Sequence, residues 1–183
     1  MIRIGWIGIV SLLIWSLGPS RIAISQEQSE SFDVEISSEG VGMVHAILIL
    51  PAKRERVRSV LTDYSNWPKL FSRTPTIHYI KKLEGSVRVG MTVPAFLLPM
   101  TLQLVTETQE PQPFRIVTQM VEGDFEQYEW VWDLSPAGDG THTQATLRFN
   151  IKPQVWTPDW TLKWILKSDM KEHFELLRQE LNR

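Results

Sequence analysis

The sequence predicts an α+β domain in which a curved antiparallel sheet wraps around a long C-terminal helix. A series of short alternating strands fills the middle of the chain, and turn signals leave only short connectors between them. A single long helical stretch, 157–181, follows the last strand. This helix needs an apolar surface to lie on, and only the strands offer one.

The helical stretch is the element around which the rest of the chain is organised. Thr157 suits the N-cap position and Pro158 the first helical position, where a missing N–H costs nothing. Beyond them, apolar residues recur mostly at three- and four-residue steps, which places them on one stripe of the helix. The predicted stripe consists of Trp160, Trp164, Met170, Phe174, Leu177 and Leu181.

The strands precede this helix in order. Phe32–Leu50 reads as one long strand or a broken pair, because Gly40 and Gly42 interrupt its alternation, and a short helix follows at Ala52–Leu61. Turn signals separate six further strands. These lie near Thr76–Glu84, Val87–Phe96, Met100–Gln109, Phe114–Glu122, Gln127–Ser135 and Thr141–Ile151.

The last two strands indicate which face of the sheet is buried. In each of them apolar residues alternate with mostly polar ones, as in an antiparallel sheet that is covered on one side only. The apolar positions are Tyr128, Trp130, Trp132 and Leu134 in one strand and Ala145, Leu147, Phe149 and Ile151 in the other.

The N-terminus resembles an export signal. Arg3 precedes an uncharged, largely apolar stretch, Ile4–Gly18, and Ala23 and Ser25 stand where a small-x-small cleavage site would be. We expect residues 1–25 to be a signal peptide; an uncleaved membrane anchor and a buried first helix are the alternatives.

The predicted organisation is therefore a signal peptide, a flexible lead-in at 26–33 and one domain at 34–183. Export places the domain in the periplasm or elsewhere in the cell envelope, anchored to the membrane if the N-terminal segment is not cleaved. Removal of Arg3 and Arg21 with the signal peptide changes the net charge from −2 to −4. Neither this charge nor the distribution of Lys and Arg suggests nucleic-acid binding. The chain has no cysteine, which excludes disulfides and thiolate chemistry.

The order of elements, together with VLTDYSNWPKLF at 60–71, resembles the START-like (SRPBCC) superfamily. The nearest likeness is to its polyketide cyclase/dehydrase and coenzyme Q-binding branch, in the segments Ile49–Ala52, Val60–Tyr64 and Tyr128–Trp130. The resemblance covers roughly 34–181. It implies a helix-grip (Bet v 1-like) fold, with seven antiparallel strands wrapped on the long helix and a hydrophobic ligand chamber between them. It carries over no catalytic residue, because the superfamily shares a chamber and not a reaction.

No catalytic constellation with specific spacing is present in the sequence. The four histidines lie in four separate elements, and none has the i, i+4 partner of a helical metal site. They are His45, His78, His142 and His173. We therefore expect no catalytic residue, no metal and no cofactor.

Aromatic side chains are concentrated where such a chamber would lie. The residues expected to line it are Trp130, Trp132, Phe149, Trp160, Trp164 and Met170. The alternative is a core that these large side chains fill. Lys163 and Lys167 lie near the two helix tryptophans, where they meet a polar head group at the chamber mouth or simply extend to water.

An apolar run, PAFLLPM at 94–100, falls at a predicted hairpin, although loop tips are normally polar. Phe96, Leu97, Leu98 and Met100 are therefore candidates for gating the chamber or touching a membrane. The alternative is that they are the ends of buried strands.

These observations favour a non-catalytic, monomeric module that binds a hydrophobic small molecule, either a lipid or a quinone-like compound, with transient membrane contact. The second hypothesis is an enzyme of the cyclase or dehydratase kind, with Asp63, Tyr64 and His45 as the first candidates for proton transfer. The third is an interaction or assembly factor with a filled cavity.

Overall fold

An eight-stranded antiparallel sheet and a long C-terminal helix form the fold in the computed structural model, which describes residues 29–95 and 100–183. The strands are β1 (Ser31–Ile36), β2 (Gly42–Leu50), β3 (Thr76–Leu83), β4 (Ser86–Pro94), β5 (Thr101–Gln112), β6 (Arg115–Gly123), β7 (Phe125–Ala137) and β8 (His142–Pro153). The helices are α1 (Arg54–Leu61), a 3-10 helix (Tyr64–Leu70) and α2 (Asp159–Leu181). The α+β prediction is confirmed, and the sheet has one strand more than the family resemblance implies.

The additional strand comes from 31–50, where a turn at 37–41 separates two paired antiparallel strands. The first strand begins at Ser31, three residues before the predicted start of the domain. Gly40 has a φ of 76°, which glycine adopts without strain, so it makes a turn rather than a bulge. Gly42 serves close packing, because a Cβ there would collide with Leu166 Cδ1.

Strand order in the sheet is β1-β2-β8-β7-β6-β5-β4-β3. The last strand therefore pairs with β2 on one side and β7 on the other, next to the N-terminal hairpin. The predicted inner faces of β7 and β8 are confirmed, since Trp130, Trp132, Leu134, Leu147 and Phe149 are all buried.

Helix α2 buries a different stripe from the predicted one in its first half. Met170, Phe174, Leu177 and Leu181 are buried as expected, but the stripe continues toward the N-terminus through Leu166 and Leu162, not through the tryptophans. The N-cap is Pro158, while the Thr157 hydroxyl donates to the carbonyl of Val155 instead of capping the helix.

Two hydrophobic clusters lie on the inner side of the sheet. The larger one joins the buried residues of α2 and α1 to β1, β2, β7 and β8. The smaller one consists of Val89, Met91, Leu104 and Phe125, and no described residue of α2 belongs to it. The helix thus covers one half of the sheet tightly and leaves space over the other half. No helix in the described part of the chain is long and apolar enough to cross a membrane.

Candidate ligand chamber

A cavity of about 650 Å³ occupies the space between the two clusters. Its walls come from β4 to β8, from the 3-10 helix and the segment after it, and from α2 as far as His173. The apolar lining includes Met91, Val93, Leu102, Leu104 and Ile116 from the sheet and Leu162, Ile165, Leu166 and Met170 from the helix. At one end, the ends of β4, β5 and β8 meet the start of α2, and exposed lining residues form a mouth there.

Aromatic rings form a continuous wall on the β7–β8 side. Trp130 stacks on Phe149 with 4.2 Å between ring centroids, and Tyr128 meets Phe149 edge-on at 5.3 Å. Phe71 approaches Trp130 edge-on at 6.1 Å. Aromatic pairs in such arrangements are more favourable than their buried area alone would give, so these contacts stabilise the wall.

Four of the six residues predicted for the chamber line this cavity: Trp130, Trp132, Phe149 and Met170. Their contact with a ligand stays a prediction.

The prediction is wrong for the position of Trp160 and Trp164, which are 76% and 56% exposed and are not among the described residues of the cavity wall. The physical reason is helical phase. Leu162 and Leu166 form a second four-residue series, displaced by two residues, and two residues correspond to about 200° around a helix. The smaller leucines fit against β2, which leaves the indoles on the outer face.

Lys163 and Lys167 are likewise exposed and are not among the described residues of the cavity wall, and their contact with a polar head group at the mouth stays a prediction. The gate candidates Phe96, Leu97 and Leu98 lie outside the described residues. Met100 does line the cavity mouth and is 47% exposed.

His173 is the polar group buried most deeply in the wall. Its Nδ1 lies 2.7 Å from the carbonyl oxygen of Leu70, and a carbonyl oxygen only accepts, so Nδ1 carries the hydrogen. Burial lowers the pKa of His173 to about 4, despite that hydrogen bond, so the ring is neutral at pH 7. Its Nε2 is therefore a buried acceptor, and it has no partner among the described residues.

A donor lies near this acceptor. The indole Nε1 of Trp130 is also buried without a hydrogen-bond partner in the described part of the chain, and the Trp130 and His173 rings are 5.5 Å apart. Burial raises the pKa of the Tyr128 hydroxyl, and the neighbouring Trp130 indole partly offsets this rise without reaching hydrogen-bond geometry. Unsatisfied buried polar atoms are costly, so this cluster suits a ligand with a polar group.

A charged pair lies at the edge of the cavity. Arg73 Nη2 donates to both carboxylate oxygens of Asp169, at 2.5 and 2.6 Å, and joins the segment after the 3-10 helix to α2. Burial raises the pKa of Asp169, and the Arg73 guanidinium partly offsets this rise. No group of three potential metal-ligating side chains occurs among the described residues.

Sequence reasoning missed His173 and the Arg73–Asp169 pair. A signal for His173 was present, because it follows Met170 by three residues and precedes Leu177 by four, so it lies on the buried stripe. Arg73 and Asp169 are 96 residues apart, and nothing in the sequence pairs them.

The three proton-transfer candidates of the enzyme hypothesis do not line the chamber. His45 is exposed on β2, and Asp63 accepts a hydrogen bond from Asn66 at 2.7 Å. Tyr64 packs edge-on against Trp67, with 4.9 Å between ring centroids.

A sheet that holds a C-terminal helix against one half and encloses an apolar chamber over the other defines a helix-grip protein. The sequence profile of the family described as "Polyketide cyclase / dehydrase and lipid transport" matches residues 50–173, more than half of the chain. The chain belongs to this family, and the predicted START-like relationship is confirmed.

Solved structures share the fold at low sequence identity. A START superfamily protein from Mycobacterium smegmatis is 16% identical with a TM-score of 0.61, and the match covers 76% of this chain and 97% of that one. The Zhui aromatase/cyclase from Streptomyces sp. R1128 is 14% identical with a TM-score of 0.61, over 78% and 94%. A STAR-related lipid transfer protein from Xanthomonas axonopodis is 13% identical with a TM-score of 0.64, over 83% and 99%. No curated protein matches the chain.

Proposed function

We propose that the protein binds a hydrophobic small molecule, a lipid or a quinone-like compound, in this chamber without transforming it. The observation that carries the proposal is the cavity of about 650 Å³ with predominantly apolar walls. Small-molecule sites usually occupy about 300–1,000 Å³ and combine apolar walls with a few polar groups. The family includes lipid transport in its description, which supports the same class of ligand.

The ligand should be apolar over most of its length and carry one hydrogen-bonding group. His173 Nε2 offers an acceptor and the Trp130 indole a donor, both without partners among the described residues. A hydroxyl or a similar group that both donates and accepts a hydrogen bond would complement the two atoms. Because both atoms are buried, the surrounding side chains must move slightly before a ligand can reach them. This cluster replaces Lys163 and Lys167 as the proposed contact for the polar end of the ligand.

We further propose that the protein works as a monomer in the cell envelope. The positively charged N-terminus and the uncharged stretch Ile4–Gly18 support export. An exported domain with an apolar chamber would meet membrane lipids as its most abundant hydrophobic ligands.

Native mass spectrometry of the purified protein, followed by extraction of any bound compound, tests the binding function. Leu102 lines the chamber and is partly buried, so Leu102→Trp should fill part of the space and reduce bound ligand at least about tenfold. Val121 is 49% exposed and is not among the described lining residues, so Val121→Trp is the matched control and should retain ligand. Protein that carries nothing and binds no component of a lipid extract would refute the proposal.

The second candidate is a cyclase- or dehydratase-type enzyme, and His173 is the observation that favours it. A neutral imidazole with an unpartnered Nε2, close to the aromatic wall, has the protonation state of a general base. His173→Asn should then abolish turnover of a reactive poly-β-ketone while ligand binding persists. Equal turnover by both proteins would exclude His173 as the base, and no turnover by either would leave binding as the function.

The third hypothesis required a collapsed cavity, and the chamber is open. It is therefore not proposed.

A further inference from the structure

Three tryptophans stand on the outside of the molecule at four-residue steps. Trp156, Trp160 and Trp164 are 84%, 76% and 56% exposed. A single exposed apolar residue is ordinary, but neighbouring exposed indoles form a patch of the kind that marks an interaction site. Trp156 precedes α2, and the other two lie on its outer face, so the row extends along the start of the helix.

Lysines accompany these tryptophans. Lys163 follows Trp160 by three residues and Lys167 follows Trp164 by three, a spacing that makes each pair neighbours on the helix surface. Both lysines are exposed, and neither forms an ion pair with another described residue. The exposed carboxylate of Asp159, four residues before Lys163, offsets one of the two positive charges, so the surface keeps a net positive charge as well as its indoles, although the chain as a whole has a net charge of −2. We call Trp156, Trp160, Trp164, Lys163 and Lys167 the tryptophan–lysine surface.

This surface adjoins the mouth of the chamber. Trp156 belongs both to the surface and to the cavity wall. Val155 and Met100, which also line the cavity, are 61% and 47% exposed at the same end of the molecule. Whatever covers the tryptophan–lysine surface therefore lies against the opening through which a ligand enters.

We propose that the tryptophan–lysine surface docks the protein on an anionic phospholipid bilayer, with the mouth facing the membrane. Indoles favour the boundary between head groups and acyl chains, because one part of the ring system is apolar and the N–H is polar. Lysines extend past such rings to reach phosphate groups, and a negatively charged bilayer attracts them. A protein partner would satisfy the indoles equally well, but the adjacent free lysines and the ligand opening favour a lipid surface.

The inference deepens the proposed function, because a docked mouth would let a lipid pass without crossing water. The docking itself requires no ligand, so the two proposals fail separately. An empty chamber would refute the binding function and leave docking intact. If the protein does not dock on vesicles but still co-purifies with ligand, only the docking proposal fails.

Vesicle co-sedimentation of the full chain tests the charge contribution. Lys163→Gln with Lys167→Gln should weaken binding to vesicles of equal phosphatidylcholine and phosphatidylglycerol by about 25-fold, at about fivefold per lysine. Binding to phosphatidylcholine alone should not change. Lys81→Gln with Lys82→Gln, on exposed positions of β3, is the matched control and should bind like the wild type.

The tryptophans should contribute on both kinds of vesicle. Trp156→Ala with Trp160→Ala should weaken binding by at least about tenfold, because interfacial affinity scales with the apolar area inserted. Tyr79→Ala is the control, since Tyr79 is also an exposed aromatic residue, 45% exposed, but lies on β3. Unchanged binding of the tryptophan variant would overturn the proposal.

The absence of cysteine permits a direct readout at single labelled positions. Ser168 is exposed one turn beyond Trp164, whereas Ser135 is exposed on β7, ten residues or about 33 Å of strand from the Phe125 end near the mouth. An environment-sensitive dye on Ser168→Cys should shift to the blue with anionic vesicles, and the same dye on Ser135→Cys should not. This difference between the two labelled positions should persist even if residues 1–28 add to the affinity of the chain for vesicles.

Equal shifts at both positions, or none at Ser168→Cys, would overturn the proposal. Light scattering distinguishes the main competitor. A dimer that dissociates in the Trp156→Ala and Trp160→Ala variant, without vesicle binding by the wild type, would assign this surface to a second copy of the chain instead.

Discussion

His173 should make the stability of the fold depend on pH between about 4 and 6.5. The ring is 2% exposed, and its burial lowers the pKa from 6.5 to about 4. As the pH falls through this range, the unfolded chain binds a proton that the folded chain does not, so the free energy of unfolding decreases. The contribution is fully present above pH 6.5 and is lost by about pH 4.

The magnitude follows from the gap between the two pKa values. A difference of about 2.5 pH units between the two pKa values, at about 1.4 kcal/mol per unit, corresponds to a loss of roughly 3–4 kcal/mol. This is a large part of the stability of an ordinary domain, which is about 5–15 kcal/mol.

Urea denaturation at several pH values measures this effect. His173→Asn has no titratable group, and its amide can still donate to the Leu70 carbonyl, so the decrease attributed to the ring should disappear. Carboxylates contribute equally to both curves, and the difference between them isolates the ring. His45→Asn, at an exposed position of β2, controls for loss of a histidine as such. Parallel curves for wild type and His173→Asn would refute the reasoning.

Three further outcomes are expected. Trp130→Ala should cost about 3–5 kcal/mol of unfolding free energy and weaken ligand binding, because Trp130 is buried against Phe149. Trp164→Ala, at an exposed position, should cost less than about 1 kcal/mol. Equal losses in a denaturant titration would contradict the assignment of the two tryptophans to the buried and the outer face. Changing Leu97 and Leu98 to serine should slow lipid exchange without a change in melting temperature, and a large fall in melting temperature would show that they are core residues. N-terminal sequencing of protein from its native host should begin near residue 26, and a start at residue 1 in the membrane fraction would indicate an anchor.

Alternation predicted the sheet better than periodicity predicted the helix. In β7 and β8 the large apolar residues occupy every second position, so they lie on one face of each strand. The alternation therefore identifies the buried face directly. In the first half of α2, two apolar series have the same four-residue spacing. Which of them is buried depends on the surface that it meets, and Gly42 on β2 admits the leucines at close distance. That constraint belongs to the tertiary structure and cannot be seen in the helix alone.

The candidate site was predictable where it is built from large apolar residues and not where it is polar. Trp130, Trp132 and Phe149 stand out by size and alternation. The buried acceptor of His173 depends on which way one ring turns and on the Leu70 carbonyl, 103 residues away in the chain. A buried polar group usually has a hydrogen-bond partner, and here that partner is far away in the chain. The spacing of residues in the sequence does not identify such a partner.

The division of the interior into two clusters has a consequence for how a ligand leaves. Among the described residues, only the partly buried side chains of Trp67, Tyr128 and Ile151 pack against both clusters. The smaller cluster can therefore open locally while α2 remains packed against β1 and β2. We expect amide hydrogen exchange in β4 and β5 to be faster than in β2 and β8. Release of the ligand would then follow this local opening, so a substitution that slows global unfolding through the larger cluster need not prolong the residence time of the ligand.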